Sequence, residues 1–153
     1  LTGLVFTCIP GPMGFWSYAN SRLVMRLGSK RLLLRALAAF SMIAFVHLAA
    51  VMAVGETLWS FVLFQSLTMA SFGLVGANAG ALAMEPLRHI AGTASSLQGV
   101  VTTVGGALIG FGIGQAFNGT TVPLVLGFAL CGVSALAVAW WANAGREGKP
   151  AEG

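Results

Sequence analysis

The sequence contains no aspartate, and acidic side chains number only 4 in 153 residues. Charged residues together make up 8%, whereas soluble domains carry about 25%. So few charges cannot coat a water-facing surface. From Ile90 to Gly145 there is no Asp, Glu, Lys, Arg or His at all. As one helix that stretch would be about 84 Å long at ~1.5 Å per residue. A bilayer core is about 30 Å thick, and one crossing needs roughly 20 apolar residues. The stretch is too long for one crossing and suits two, with Asn118-Gly119-Thr120-Thr121-Val122-Pro123 as the turn between them.

Other scarcities exclude other chemistry. The 2 cysteines, Cys8 and Cys131, sit in separate apolar runs and read as small core residues. They form no redox pair and no metal spacing, so neither a metal nor a cofactor is expected. No nucleophile–base arrangement and no phosphate loop appears, and no Glu lies inside an apolar span, so the chain is not expected to be an enzyme. The net charge of +4 comes from 8 basic residues set in short gaps between apolar runs, which does not suit nucleic acid. No secretory signal pattern opens the chain. It starts inside hydrophobic sequence and reads as a fragment.

What is present is apolar: 57% hydrophobic, with a mean hydropathy of +0.87. The runs are long and unbroken, unlike the alternating ten-residue segments of a membrane barrel. The expected fold class is an all-α polytopic membrane protein. Five spans are predicted, at about 4–18, 36–54, 58–84, 90–117 and 122–144. The first is kinked at Pro10-Gly11-Pro12, and 146–153 forms a polar tail. Between the first two spans lies a basic loop carrying Arg22, Arg26, Lys30, Arg31 and Arg35, with Gly28 at its tight turn. With five spans, all 8 Lys and Arg residues fall on one side, the others being Arg88, Arg146 and Lys149. That side is expected to be cytoplasmic, with the N-terminus outside and the C-terminus inside. Trp16, Tyr18, Trp59, Trp140 and Trp141 sit near span ends, as in an interfacial belt.

Two spans carry polar stripes. In the fourth, Gln98, Thr102, Gly105, Ile109 and Gly112 share a narrow sector of the helical wheel. A neighbouring sector holds Gly99, Thr103, Gly106, Gly110 and Gly114. The glycines suit close helix packing. Gln98 and Thr102 either line a substrate path or bond to a neighbouring helix. In the third span Gln65, Thr68, Phe72 and Gly76 share a face, which suits a pocket for an amphipathic organic molecule or, again, helix contact. Its small inner residues, Gly73 to Ala81, are expected to pack closely on the fourth span. His47 is the only ionisable side chain in the second span and reads as packed or hydrogen-bonded rather than as a proton carrier. Glu85 and Arg88, at i and i+3, read as a local ion pair.

Two stretches carry a family likeness. Arg22-Leu23-Val24-Met25-Arg26-Leu27-Gly28-Ser29-Lys30-Arg31 resembles the basic loop motif of major facilitator superfamily transporters, in the copy between helices 8 and 9. Met25 stands where that motif often has an acid. Ala91-Gly92-Thr93-Ala94-Ser95-Ser96-Leu97-Gln98-Gly99, following Glu85-Pro86, looks like the start of helix 11 in the Bcr/CflA-type drug-resistance efflux branch. The resemblance covers about residues 14–145. It implies that the five spans are helices 8 to 12, most of the C-terminal six-helix bundle of a 12-helix transporter. The second and fifth spans would then lie outermost. It further implies proton-coupled export of drugs or other small organic molecules across a bacterial inner membrane. The partners would be the substrate, protons, the lipid bilayer and a missing N-terminal half. A major facilitator exporter of one specific metabolite, or a membrane subunit without transport activity, are the alternatives.

Overall fold

In the computed structural model, residues 11–147 are described. Residues 4–10 of the first predicted span, Cys8, and residues 148–153 with Lys149 lie outside the described residues. The elements are α1 (Gly11–Leu27), α2 (Ser29–Val54), α3 (Leu58–Met84), a 3-10 turn (Glu85–Ile90), α4 (Ala91–Gln115) and α5 (Val122–Glu147). All regular structure among the described residues is helical. Three segments are long and apolar enough to cross a membrane: Ser29–Val54, Leu58–Gln115 and Val122–Asn143. The protein therefore has the helical, apolar build of a membrane protein.

The turns explain these boundaries. Gly28 has φ 75°, a left-handed conformation that costs a glycine little. Its N–H donates to Val24 O at 2.9 Å and closes α1, and its carbonyl accepts from Leu32 N at 3.1 Å and opens α2. The tight turn is where the sequence places it, but the basic stretch around it is not a loop. Arg22 and Arg26 lie in the last turns of α1, and Lys30, Arg31 and Arg35 lie in the first turns of α2. Apart from Gly28, these residues are mostly good helix formers with no reason to unwind. At the far end of α2, Gly55 with φ 76° breaks the helix, and a reciprocal capping box between Thr57 and Ser60 starts α3.

The long apolar segment Leu58–Gln115 folds back on itself at the 3-10 turn. Lys30, Leu33, Leu82, Ala139 and Asn143 surround one cavity, so the start of α2, the end of α3 and the end of α5 share one end of the bundle. Phe61, Gly110, Ile113, Phe117 and Pro123 surround another cavity, which joins the start of α3, the end of α4 and the start of α5 at the opposite end. The chain reverses where Leu87 leaves helical geometry, with φ −106° and ψ 15°. That break also separates Glu85 from Arg88, and the expected i, i+3 ion pair is not formed. Every described Lys and Arg belongs to the first end. The second end carries Glu56 and no Lys or Arg among the described residues.

The core is built on α2. Leu32, Ala36, Phe40, Ala44, His47 and Val51 recur at helical spacing and are buried. They face α3 on one side and α5 on the other. On α5, Val125, Ala129 and Gly132 are buried on one face and form the matching stripe. A Cβ on Gly132 would stand 2.8 Å from both Phe40 Cδ1 and Ser41 Oγ. The rings of Phe40 and Phe128 meet edge to face at 6.1 Å. Small residues on α5 let its backbone approach the bulky face of α2. Within the described bundle α2 is thus central.

Candidate functional site

Helix α3 carries its polar residues inward. Gln65, Thr68, Ser71 and Asn78 are all buried. Thr68 Oγ1 donates to Phe64 O at 2.8 Å, and Ser71 Oγ donates to Leu67 O at 3.1 Å, so both satisfy themselves along their own helix. Asn78 instead reaches across. Its Nδ2 donates to Asn20 Oδ1 of α1 at 2.7 Å and to Leu74 O at 2.8 Å. Gln65 Oε1 is buried with no hydrogen-bond partner among the described residues. Phe72, on the same predicted face, is half-exposed.

Helix α4 behaves differently. Its one buried residue is Ala94. Gln98 is half-buried against α3, and a Cβ on Gly80 would lie 3.7 Å from Gln98 Nε2. Thr102 is exposed and donates to the carbonyls of Gln98 and Gly99. The positions Gly99, Gly106, Gly110 and Gly114 face open space, with no atom within 4 Å of an added Cβ. The five predicted path residues are therefore not gathered at one point. Gln98 lies near Gly80, and Gly80 is fifteen residues along α3 from Gln65, or about 22 Å at ~1.5 Å per residue. Gln65 and Thr68 lie within the bundle, while Thr102 and the glycine stripe lie on its outside.

The basic residues Arg22, Arg26, Lys30 and Arg31 gather around the Gly28 break. Lys30 and Arg31 line a cavity there with Leu82 and Glu85. This end is electropositive, and the helix–turn geometry holds it as one surface.

The polar cluster at the other end was not foreseen as a unit. His47 is 2% exposed, with its ring stacked on Phe64 at 4.6 Å and 12°. Its Nε2 lies 2.6 Å from Glu56 Oε1. With the carboxylate ionised, Nε2–H is the donor. Thr121 Oγ1 donates to Glu56 Oε2. Glu56 belongs to the α2–α3 turn and Thr121 to the α4–α5 loop, 65 residues apart in sequence. His47 lines a cavity of 220 Å³ with Thr57, Ser60 and Phe64. Glu56 lines another of 620 Å³ with Phe61, Phe117 and Thr121. One signal in the sequence bears on the pair: Glu56 is a lone acid between two apolar runs, nine residues after the lone histidine of α2. Nothing in the sequence announces Thr121.

Among the described residues no group of three His, Cys, Asp or Glu side chains could hold a metal ion. No protein-family model matches the chain, and no curated protein or solved structure matches it either.

Proposed function

We propose that this chain is one bundle of a secondary active transporter of the major facilitator type, exporting drugs or other small organic molecules in exchange for protons. The observation that carries the reading is the exposed face of α4. Thr102 of this long apolar helix is exposed, and among the described residues nothing lies within 4 Å of a Cβ added at Gly99, Gly106, Gly110 or Gly114, while Gln98 is half-buried against α3. Polar side chains within a span ordinarily face a bundle interior or a water-filled cavity. The face is therefore assigned to a cavity shared with a second bundle, against which this one rocks in alternating access. The same helix begins with the segment that resembles the efflux branch. The sparse polarity of Gln98 and Thr102 suits loosely selective binding better than recognition of one highly polar metabolite.

On this reading α1 to α5 each cross a bacterial inner membrane, and the end bearing the Lys and Arg residues faces the cytoplasm. Protons, the exported molecule, the lipid bilayer and the second bundle are its partners. The test is a single cysteine at Gln98 in the transporter in its native membrane. A small water-soluble thiol reagent is expected to modify it, and an exported dye to slow that modification. A cysteine that stays unreactive with or without dye would place Gln98 against lipid or protein and remove the cavity.

A further inference from the structure

The two ends of the bundle differ in kind. One holds the basic residues. The other holds a single carboxylate, Glu56, bonded to two segments that do not adjoin it in sequence. Across α2 from Ile43 onward, the α2–α3 turn, α3 as far as Ala70, the end of α4 from Gly110, the α4–α5 loop and α5 to Leu130, His47 and Glu56 are the only charged or titratable side chains. Phe61 and Phe64 of α3 and Asn118, Thr120 and Thr121 of the loop and α5 start bring none.

We propose that His47 and Glu56 form a proton-binding site and that Thr121 makes it a latch on the α4–α5 loop. The ligand is a proton, and the balance is simple. With neutral His47, one proton sits on Nε2 and the pair carries one negative charge. Uptake of a proton at Nδ1 makes the imidazolium–carboxylate pair, with no net charge. The bond to the carboxylate is charge-assisted in either state, and protonation adds the attraction of a full positive charge on the donor, which a low-dielectric setting strengthens. The protonated pair holds Glu56 in place, and Glu56 accepts from Thr121 and so holds the start of α5 and the loop before it. The cavity beside His47, mainly apolar but lined also by Thr57 and Ser60, gives an approach to the ring from this end. The site deepens the transport reading by placing a titratable group at the end assigned to the outside, yet its chemistry does not depend on transport.

The experiment keeps the two readings apart. A nitroxide spin label is placed at Asn118 in the 153-residue chain, freed of Cys8 and Cys131 and reconstituted in lipid. Its mobility is followed across roughly pH 5 to 8. The label is expected to be less mobile at the acidic end of that range. His47→Gln and Glu56→Gln should each abolish the pH dependence, and Thr121→Val should leave the label mobile throughout. Glu56→Asp, which keeps the carboxylate, should retain part of the response, and unchanged helical circular dichroism shows that each variant is folded. A pH-independent label in the parent chain, or a response that survives both His47→Gln and Glu56→Gln, overturns the proposal. Because nothing is transported in this measurement, a failure of dye export elsewhere leaves its outcome intact.

Discussion

Asn78 is 1% exposed and is the polar side chain by which α3 holds α1. Thr68 and Ser71 on the same helix bond back to carbonyls of their own helix. Asn78→Leu should therefore loosen α1 specifically. Hydrogen bonds between membrane helices contribute about 0.6–2 kcal/mol, and a loss of that size is expected in detergent unfolding followed by tryptophan fluorescence. Thr68→Val, which removes a bond made only within α3, should move the unfolding midpoint far less. If both variants unfold alike, the Asn78–Asn20 contact carries no stability. The sequence allows Asn78 an inward position, since a lone amide in a span is costly when it faces lipid. It does not name Asn20, because a pairing across 58 positions has no local signal.

Glycine placement separates two helices that look alike in composition. Both α4 and α5 are apolar and rich in small residues, and the spacing Gly106-x-x-x-Gly110-x-x-x-Gly114 marks α4 as the packing helix. In the structure the tight contact belongs to α5. Gly132 lies against Phe40 and Ser41, and Gly127 lies against Ile113. Gly132→Leu should overpack the α2–α5 contact and destabilise the chain by about 1–3 kcal/mol or more, read as a lowered unfolding midpoint. Gly110→Leu should leave the same midpoint unchanged, since open space surrounds it. On the proposed transport reading the order should reverse for activity, because the α4 stripe would then meet a second bundle. A destabilised Gly110→Leu chain would show that α4 packs on its own neighbours instead. Helix existence, the Asn118–Pro123 turn and the Gly28 break were legible from periodicity and breakers. The choice of glycine stripe was not, since spacing shows that a face is thin and does not show what stands opposite.

At the scale of the whole molecule, charge is sorted by end. The α1–α2 break, the 3-10 turn and the end of α5 carry the Lys and Arg residues, while the α2–α3 turn and the α4–α5 loop carry none. Single cysteines at Thr57 and Gly119 should react with an impermeant thiol reagent applied to intact cells, and one at Lys30 should be shielded until the membrane is opened. Labelling of Lys30 from outside would refute the orientation. The isolated bundle should also be unable to work alone, because alternating access needs a second body to rock against. Reconstituted in liposomes under a pH gradient, it is expected to insert but not to move a fluorescent cationic dye. Uncoupler-sensitive dye movement would mean that copies of this chain suffice.

Composition and run pattern determined that these residues form apolar helices, because away from water only helices and closed barrels satisfy the backbone, and long unbroken apolar runs do not alternate as barrel strands do. Local breakers determined where most helices stop. Which helix lies at the centre was decided by tertiary structure: α2 is no more apolar than α5, but its buried face meets small residues of α5 on one side and the rings of Phe61 and Phe64 of α3 on the other. The same holds for the latch. Glu56 becomes part of a site only because α4 turns back at Leu87 and returns the loop, with Thr121, to the end where α2 stopped. That meeting depends on a reversal of direction and on helices of matching length, which no local pattern of residues encodes.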